Sequence, residues 1–312
     1  MIYITLMKII EKISELQEFL KVCRKKGKTI GFVPTMGFLH EGHSSLVNKS
    51  KKENDITIVS IYVNPSQFGV GEDLDKYPRD LERDIKILEK DKVDVVFLPL
   101  REEISNPNLK LFKKYKDIIY LKNPSKEFLR LNKILCGAKR PGHFEGVFEI
   151  VSKFFLLIKP DRAYFGQKDF QQFKIIEIIK KELNLSIKSV MCSIVREKAG
   201  LAKSSRNVYL NKFDRKKALI LYNSLCGIKN NIEYTFDSKD SSPAYGVRRR
   251  EEILLKYRNN FLKFKNIKLE YLEIRDAKNL KNIRKYKENR TYIVLGAMKI
   301  GNVRLIDNVV AK

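Results

Sequence analysis

Cysteine is scarce and scattered in this chain of 312 residues. Cys23, Cys136, Cys192 and Cys226 stand far apart, with no Cys-x-x-Cys pair among them. That spacing argues against a zinc ribbon or a disulfide framework and suits a reducing cytosol, so the chain is expected to be cytoplasmic. No run of eighteen apolar residues occurs, which excludes a conventional membrane-spanning helix. The opening MIYITLMKIIEKISELQEFL has no basic region leading into an apolar core and a small-residue cleavage site, so no secretory signal is read. The residues ahead of Met7 read as an upstream start. Histidine is scarcer still, with three in the chain. Two of them, His40 and His43, fall inside the nine residues TMGFLHEGH, 35–43.

What the sequence has in excess is positive charge, a formal net +26. Clustered lysine and arginine would point to nucleic acid or a membrane surface, because they neutralise phosphates. Here the basic residues are dispersed in short runs such as KVCRKKGK and VRRRE and form no single arm. That pattern fits a compositional bias, and it equally suits an enzyme whose substrates are anions. No nucleic-acid partner and no membrane partner are expected. The length is comfortable for two domains, each with a real core.

Hydrophobic periodicity supplies the architecture. Ile9, Ile13, Leu16, Phe19 and Leu20 predict a helix from Lys8 to about residue 26, closed by Gly27. TIGFVPT, ITIVSIYV (56–63), VDVVFLP, DRAYFG and SIKSVMCSIV read as short strands. Helices are predicted between them near 43–52, 79–90, 124–136, 144–158 and 169–182. Residues 100–123 read as a polar, irregular surface excursion. Strands that are continuous apolar runs, alternating with helices, imply a parallel sheet covered on both faces. The character then changes. Two helices (211–231 and 247–264) flank TFDSKDSSPAYG, read as a loop, and KLEYLEIRD, TYIVLGAMKIG and VRLIDNV suit a small antiparallel sheet. The expected fold class is therefore α/β: a Rossmann-like domain over 1–194 and a smaller C-terminal α+β domain over 195–312.

His40 and His43 bear on chemistry in three ways. A zinc-protease helix needs His-Glu-x-x-His, with its histidines four apart, whereas these are three apart with Gly42 between. They could be satisfied structural histidines. Or strand, glycine turn and helix entry could present backbone N–H groups, the positive end of a helix and two imidazoles to a phosphate. The neighbouring motifs have bland readings as well. Asn64 and Gln67 in VNPSQF could be turn chemistry. GQKDFQQ (166–172) could be a helix start capped by Asp169. KSSRN (203–207) could be a solvated loop, and Asp84 an exposed helix carboxylate.

Taken together and in order, VPTMGFLHEGHSSLV, VNPSQFGVGEDLDKYPRDLERD, RPGHFEGV, KPDRAYFGQKDFQQ, VREKAGLAKSSRNVYL and VRLIDN resemble the pantothenate synthetase (pantoate–β-alanine ligase) family of H-x-G-H nucleotidyltransferases. The resemblance runs over about 29–210 and more weakly beyond. It implies a two-step ligation, in which ATP and pantoate give pantoyl adenylate and pyrophosphate, and β-alanine then displaces AMP. The family's ATP positions fall on Met36, Gly37, Phe38, Leu39, His40, Glu41, Gly42 and His43, with His43 the proton donor and His40 near the phosphates. They also fall on Gly166, Gln167, Lys168 and Asp169, on Val195 beside the adenine, and on Lys203, Ser204, Ser205 and Arg206. Lys168 is expected to offset phosphate charge during adenylation. Gln67, Gln172 and Asn64 fall at pantoate and β-alanine.

Magnesium is expected with ATP, with Asp84 a candidate partner, and the family is commonly dimeric, so a homodimer is expected. Lys203 departs from the family, which usually has Leu or Met there, and is expected to face solvent. RPGHFEGV, with Arg140 and His143, is expected to be a turn that sets the next helix. Two rivals stand beside this reading: another adenylate-forming or nucleotidyl-transferring enzyme with the same H-x-G-H core, including one acting on tRNA, and a basic nucleic-acid-binding protein whose enzyme motifs are relics. The first would want a tRNA-reading module, and none is visible beyond residue 210.

Overall fold

A computed structural model describes residues 7–237, 243–283 and 290–312. The segment ahead of Met7 and the middle of TFDSKDSSPAYG, on both of which expectations fall, lie outside those residues. The chain divides into two compact units. One is Met1–Gln167 with Gln171–Val195; the other is Lys168–Phe170 with Arg196–Lys312.

The first unit is built on six strands, β1 (Lys8–Ile10), β2 (Ile30–Thr35), β3 (Ile56–Ile61), β4 (Val95–Phe97), β5 (Arg162–Gly166) and β6 (Lys188–Cys192). They pair in the order β1-β4-β3-β2-β5-β6, and every pairing is parallel. Alternate residues of each strand serve opposite faces. Val33, Val59 and Val96 pack with Leu46 and Val47 of α2 (Glu41–Glu53) and Leu88 of α3 (Leu81–Lys90). On the other face Phe32 and Phe97 both meet Phe154 edge-on. Phe154 belongs to α9 (His143–Ile158), a helix buried almost all round, as its near-continuous apolar sequence requires.

The first unit departs from three expectations. The first helix, α1, runs Ile13–Lys25, and Lys8–Ile10 is an edge strand paired with Val95–Phe97. Ile9, which matched the helical stripe, is exposed, while Ile10 is buried against the sheet. The excursion at 100–123 is helical, as α4 (Arg101–Ile104), α5 (Lys110–Lys114) and α6 (Lys116–Ile119). Each contributes one apolar anchor, Ile104, Phe112 or Ile119, to the interior, too few to show as periodicity. The helix predicted near 124–136 is two short ones, α7 (Lys126–Asn132) and α8 (Leu135–Lys139). α10 (Phe170–Glu182) then leads to β6.

In the second unit, α11 (Lys212–Asp237) and α12 (Pro243–Phe261) extend into both ends of the predicted TFDSKDSSPAYG loop. α12 has proline at its first position, where the missing N–H costs nothing. Strands β7 (Ile267–Asp276), β8 (Tyr292–Ile300) and β9 (Val303–Ala311) form an antiparallel sheet in that order. Ile300 pairs with Val303 across a two-residue turn at Gly301, φ +55°. Leu221, Leu225 and Ile228 of α11 share a buried cluster with Leu272, Val294, Met298 and Leu305.

Candidate active site at the carboxyl edge of the sheet

Strand order places the site. From β2 the chain proceeds through β3 to β4 on one side, whereas β5 lies on β2's other side and leads out to β6. The carboxyl ends of β2 and β5 therefore flank a topological switch point, where open α/β sheets bind ligands. Met36–His43 leave the end of β2, Gly166 ends β5, and Asn64–Gln67 follow β3.

The turn after β2 is held from three directions. Gly37, at φ +80°, donates its N–H to Thr35 Oγ1 at 3.2 Å. Thr35 Oγ1 in turn donates to Ser60 O on the neighbouring strand at 2.8 Å. Phe38 also has a positive φ, +49°, a conformation that costs a side-chain-bearing residue energy. Asp84 holds it there. That carboxylate, expected as a magnesium partner or an exposed helix group, is 1% exposed. Its Oδ2 accepts from Phe38 N and its Oδ1 from Leu39 N, both at 2.7 Å. Burial pushes the Asp84 carboxyl up, against the opposing pull of those two N–H groups. Arg83 completes the clamp by donating to Leu39 O at 3.0 Å and stacking on the Phe38 ring.

His40 is the N-cap of α2. Its Nδ1 accepts from Gly42 N at 3.0 Å, and His43 Nδ1 accepts from His40 N at 3.2 Å. A neutral imidazole has one donor and one acceptor nitrogen. With Nδ1 accepting in both rings, both carry their proton on Nε2. The rings lie 4.1 Å apart between centroids, so the helix mouth presents two imidazole donors together with its own positive end. Glu41, also among the expected ATP positions, is exposed.

The Gln67 segment is fixed just as tightly. Asn64 Nδ2 donates to Gly146 O at 3.0 Å, and Ser66 Oγ to Asn64 Oδ1 at 2.8 Å. Gln67, 8% exposed, donates from Nε2 to Met36 Sδ at 2.8 Å. RPGHFEGV does more than turn the chain, although Gly142 does that at φ +83°. Arg140 grips both oxygens of Glu72 at 2.7 and 2.5 Å and meets His143 Nε2 at 3.0 Å. Since arginine can only donate, His143 Nε2 accepts and its Nδ1 donates to Gln67 O, 2.8 Å away. Gly146 lets this backbone approach, because a Cβ there would lie 2.3 Å from Ser66 O and 2.4 Å from Gln67 N. Arg83, Glu72 and Gly146 are contributors that sequence reasoning missed. The glycine is the one with a signal, since a helix interior otherwise disfavours it.

The two adjacent glutamines of GQKDFQQ separate by environment. Gln171 is spent on the backbone of Cys136, Leu131 and Ile134, whereas Gln172 is half-buried. Val195, half-buried, is the last residue of the first unit.

The remaining expected positions belong to the second unit. Lys168 is half-buried, with Nζ 3.5 Å from Asp169 Oδ2. Ser204 caps the short 3₁₀ turn Ser205–Tyr209 by accepting from Arg206 N at 3.3 Å. Ser205 is buried, and Lys203 and Arg206 are half-buried, so Lys203 is less solvent-facing than expected.

A parallel sheet with a glycine turn and two histidines at a helix mouth beside its switch point defines a nucleotidyltransferase-like α/β enzyme. The model of the pantoate–β-alanine ligase family matches residues 8–310. Pantothenate synthetase of Thermotoga petrophila is 45% identical over 304 residues, 97% of this chain and 99% of that protein. The enzyme of Thermotoga neapolitana is 46% identical with the same coverage of both chains. Among solved structures, the pantothenate synthetase from Thermus thermophilus matches with a TM-score of 0.78 at 34% identity, covering 97% of this chain and 99% of that one. The Francisella tularensis ligase, complexed with beta-gamma ATP and β-alanine, matches with a TM-score of 0.68 at 34% identity over 97% of both chains. The chain belongs to the pantoate–β-alanine ligase family and is a ligase that forms pantothenate.

Proposed function

We propose that this ligase works through an acyl adenylate. A pantoate carboxylate oxygen attacks the α-phosphorus of ATP, and pyrophosphate leaves. The β-alanine nitrogen then attacks the acyl carbon, loses a proton and expels AMP. The pair His40 and His43 carries the reading, with both imidazoles fixed as Nε2–H donors by backbone amides at the mouth of α2. Donors set before the reaction stabilise phosphate charge without reorganisation. His43 gives its proton to the departing pyrophosphate side. Met36, Gly37, Phe38 and Leu39 let the nucleotide approach the backbone. Lys168 follows the charge on a flexible stem, and Ser204, Ser205 and Arg206 grip the phosphates. Gln67 and Gln172, each able to donate and accept, orient the hydroxyl and carboxylate of pantoate, with Asn64 holding Gln67. The relative from Francisella, complexed with beta-gamma ATP and β-alanine, supports both ligands for this chain.

Magnesium enters with the ATP phosphates. Among the described residues no group of three or more His, Cys, Asp or Glu side chains is arranged to hold a metal, and Asp84 gives both oxygens to amides. A cytoplasmic homodimer belongs to the same proposal, the compartment supported by four cysteines that form no disulfide and the assembly by family resemblance alone; light scattering tests the latter.

The decisive experiment is pyrophosphate–ATP exchange. It should require pantoate and proceed without β-alanine, whereas AMP release at steady state should require all three substrates. Absence of pantoate-dependent exchange, in enzyme that still makes pantothenate, would overturn the adenylate.

A further inference from the structure

Asp307 and Asn308 sit side by side in the middle of β9 and are both buried, at 4% and 1% exposure. Two polar neighbours in the interior are costly unless each is hydrogen-bonded. Successive residues leave a strand on opposite faces, so the two side chains address different parts of the unit. Asp307 shares its face with Leu305 and Ala311, which pack in the core. There it takes the Arg196 guanidinium in a two-pronged pair, Nη1 to Oδ2 at 2.6 Å and Nη2 to Oδ1 at 2.9 Å. Arg196 also donates to Gly200 O at 3.0 Å and lies 4.0 Å over the Tyr222 ring of α11. Its Nη2 reaches Asn308 O at 3.3 Å, while Asn308 N donates to Asp307 Oδ1 at 2.7 Å. The backbone of Asn308 is thus pinned by the ion pair next to it. Its side chain, on the opposite face, donates from Nδ2 to the carbonyl of Lys168 at 3.0 Å.

An amide pinned in this way, with its Nδ2 on the carbonyl of Lys168, holds the main chain of that residue in place. We propose that Asn308 is a positioning residue of the ligase reaction, which sets the main chain of Lys168 so that its ammonium meets the phosphates during adenylation. The proposal rests on the role given to Lys168 above. Asp307 and Arg196 are the anchor that holds Asn308 in register. Lys168–Phe170 group with the second unit in the fold, in keeping with a lysine tied to β9. A side chain that is flexible by nature gains accuracy from a fixed root, and small misplacements of a charge at a reacting phosphate reduce rate steeply.

The test is a double-mutant cycle with Asn308→Ala and Lys168→Ala, read as kcat, KM for each substrate and thermal midpoint. Asn308→Ala is expected to lower kcat about tenfold or more with KM for β-alanine unchanged. In the Lys168→Ala background the same substitution is expected to change kcat less than about twofold. Asn308→Asp keeps the shape and replaces the donor with an oxygen, so it serves if the alanine variant fails to fold, and the same non-additivity is expected of it. Full additivity, or a lowered midpoint with unchanged kcat, would make Asn308 a structural amide only and overturn the proposal. Were Lys168→Ala itself to turn over at the wild-type rate, the assignment of Lys168 would fall and this proposal with it. A loss confined to Lys168→Ala would fell the proposal alone.

Discussion

Asp84 surrenders both carboxylate oxygens to the amides of Phe38 and Leu39, and so fixes a turn that Phe38, at positive φ, would not hold unaided. Asp84→Asn tests this at the scale of one atom. An amide has one acceptor oxygen and turns an N–H donor towards the second backbone N–H. The expected cost is about 1–3 kcal/mol of stability, the scale of a buried group left unpaired, accompanied by lower kcat. Unchanged melting and turnover would mean that the turn is held without the carboxylate. The imidazoles and Lys168 are expected to weigh more on rate than on stability. His43→Ala and Lys168→Ala should each lose about 10²–10³ in kcat, the range seen for one preorganised donor, with little change in the thermal midpoint for Lys168→Ala. For His43→Ala a loss of about 0.5–2 kcal/mol of stability is expected as well, the scale of a helix cap. Wild-type turnover in either variant would remove that residue from the mechanism.

At the scale of elements, legibility followed how far each signal reached along the chain. The strands β2, β3 and β5 are short apolar runs between breakers, and the site loops at their ends carry motifs, so both can be read directly. Lys8–Ile10 cannot, because Ile9 and Ile13 happen to sit at helical spacing, while the partner that makes residues 8–10 a strand lies near residue 95. Long-range partners are equally invisible for Asp84, 45 residues from Leu39 in sequence, and for Gly146, whose role depends on Ser66. Gly146→Ala would drive a methyl into the backbone of Ser66 and Gln67. The predicted result is a raised KM for pantoate and a loss of about 1–3 kcal/mol, as for other overpacked sites; a wild-type KM would show that the Gln67 segment tolerates displacement.

Asp55 ties the starts of β2 and β3 together. It accepts from Thr29 N and Thr29 Oγ1 and pairs with Lys28. The Thr29 backbone N–H first, then its hydroxyl and Lys28, hold the carboxyl down at about 2. Between the ordinary aspartate value, about 3.9, and that lowered one, the unfolded chain takes up a proton that the folded chain refuses. The stabilisation is therefore complete above the ordinary value and lost as pH falls towards 2. Asp55→Asn should flatten the decline of the melting temperature between about pH 4 and 2; parallel curves for wild type and variant would refute the linkage.

At the scale of the whole molecule, the net charge of +26 is carried by side chains such as Lys21, Lys25 and Lys26 on the solvent side of α1 and its end, not by one arm. A diffuse positive field does not select a base sequence, but it does draw anions towards the surface and raise their encounter rate. The proposed substrates differ in the charge that this field can act on. ATP carries several negative charges, pantoate carries one, and β-alanine is a zwitterion with none in sum. Salt screens such attraction, with a Debye length of about 30 Å at 0.01 M falling to about 10 Å at 0.1 M. If the excess charge serves catalysis, kcat/KM should fall with ionic strength most steeply for ATP, less for pantoate and hardly at all for β-alanine, while kcat stays level. The measurement is a set of initial rates with one substrate varied at a time across that salt range. Equal slopes for all three substrates would sever the charge from the reaction. If, in addition, purified protein retained nucleic acid at moderate salt, the excess charge would belong to a polyanion partner instead.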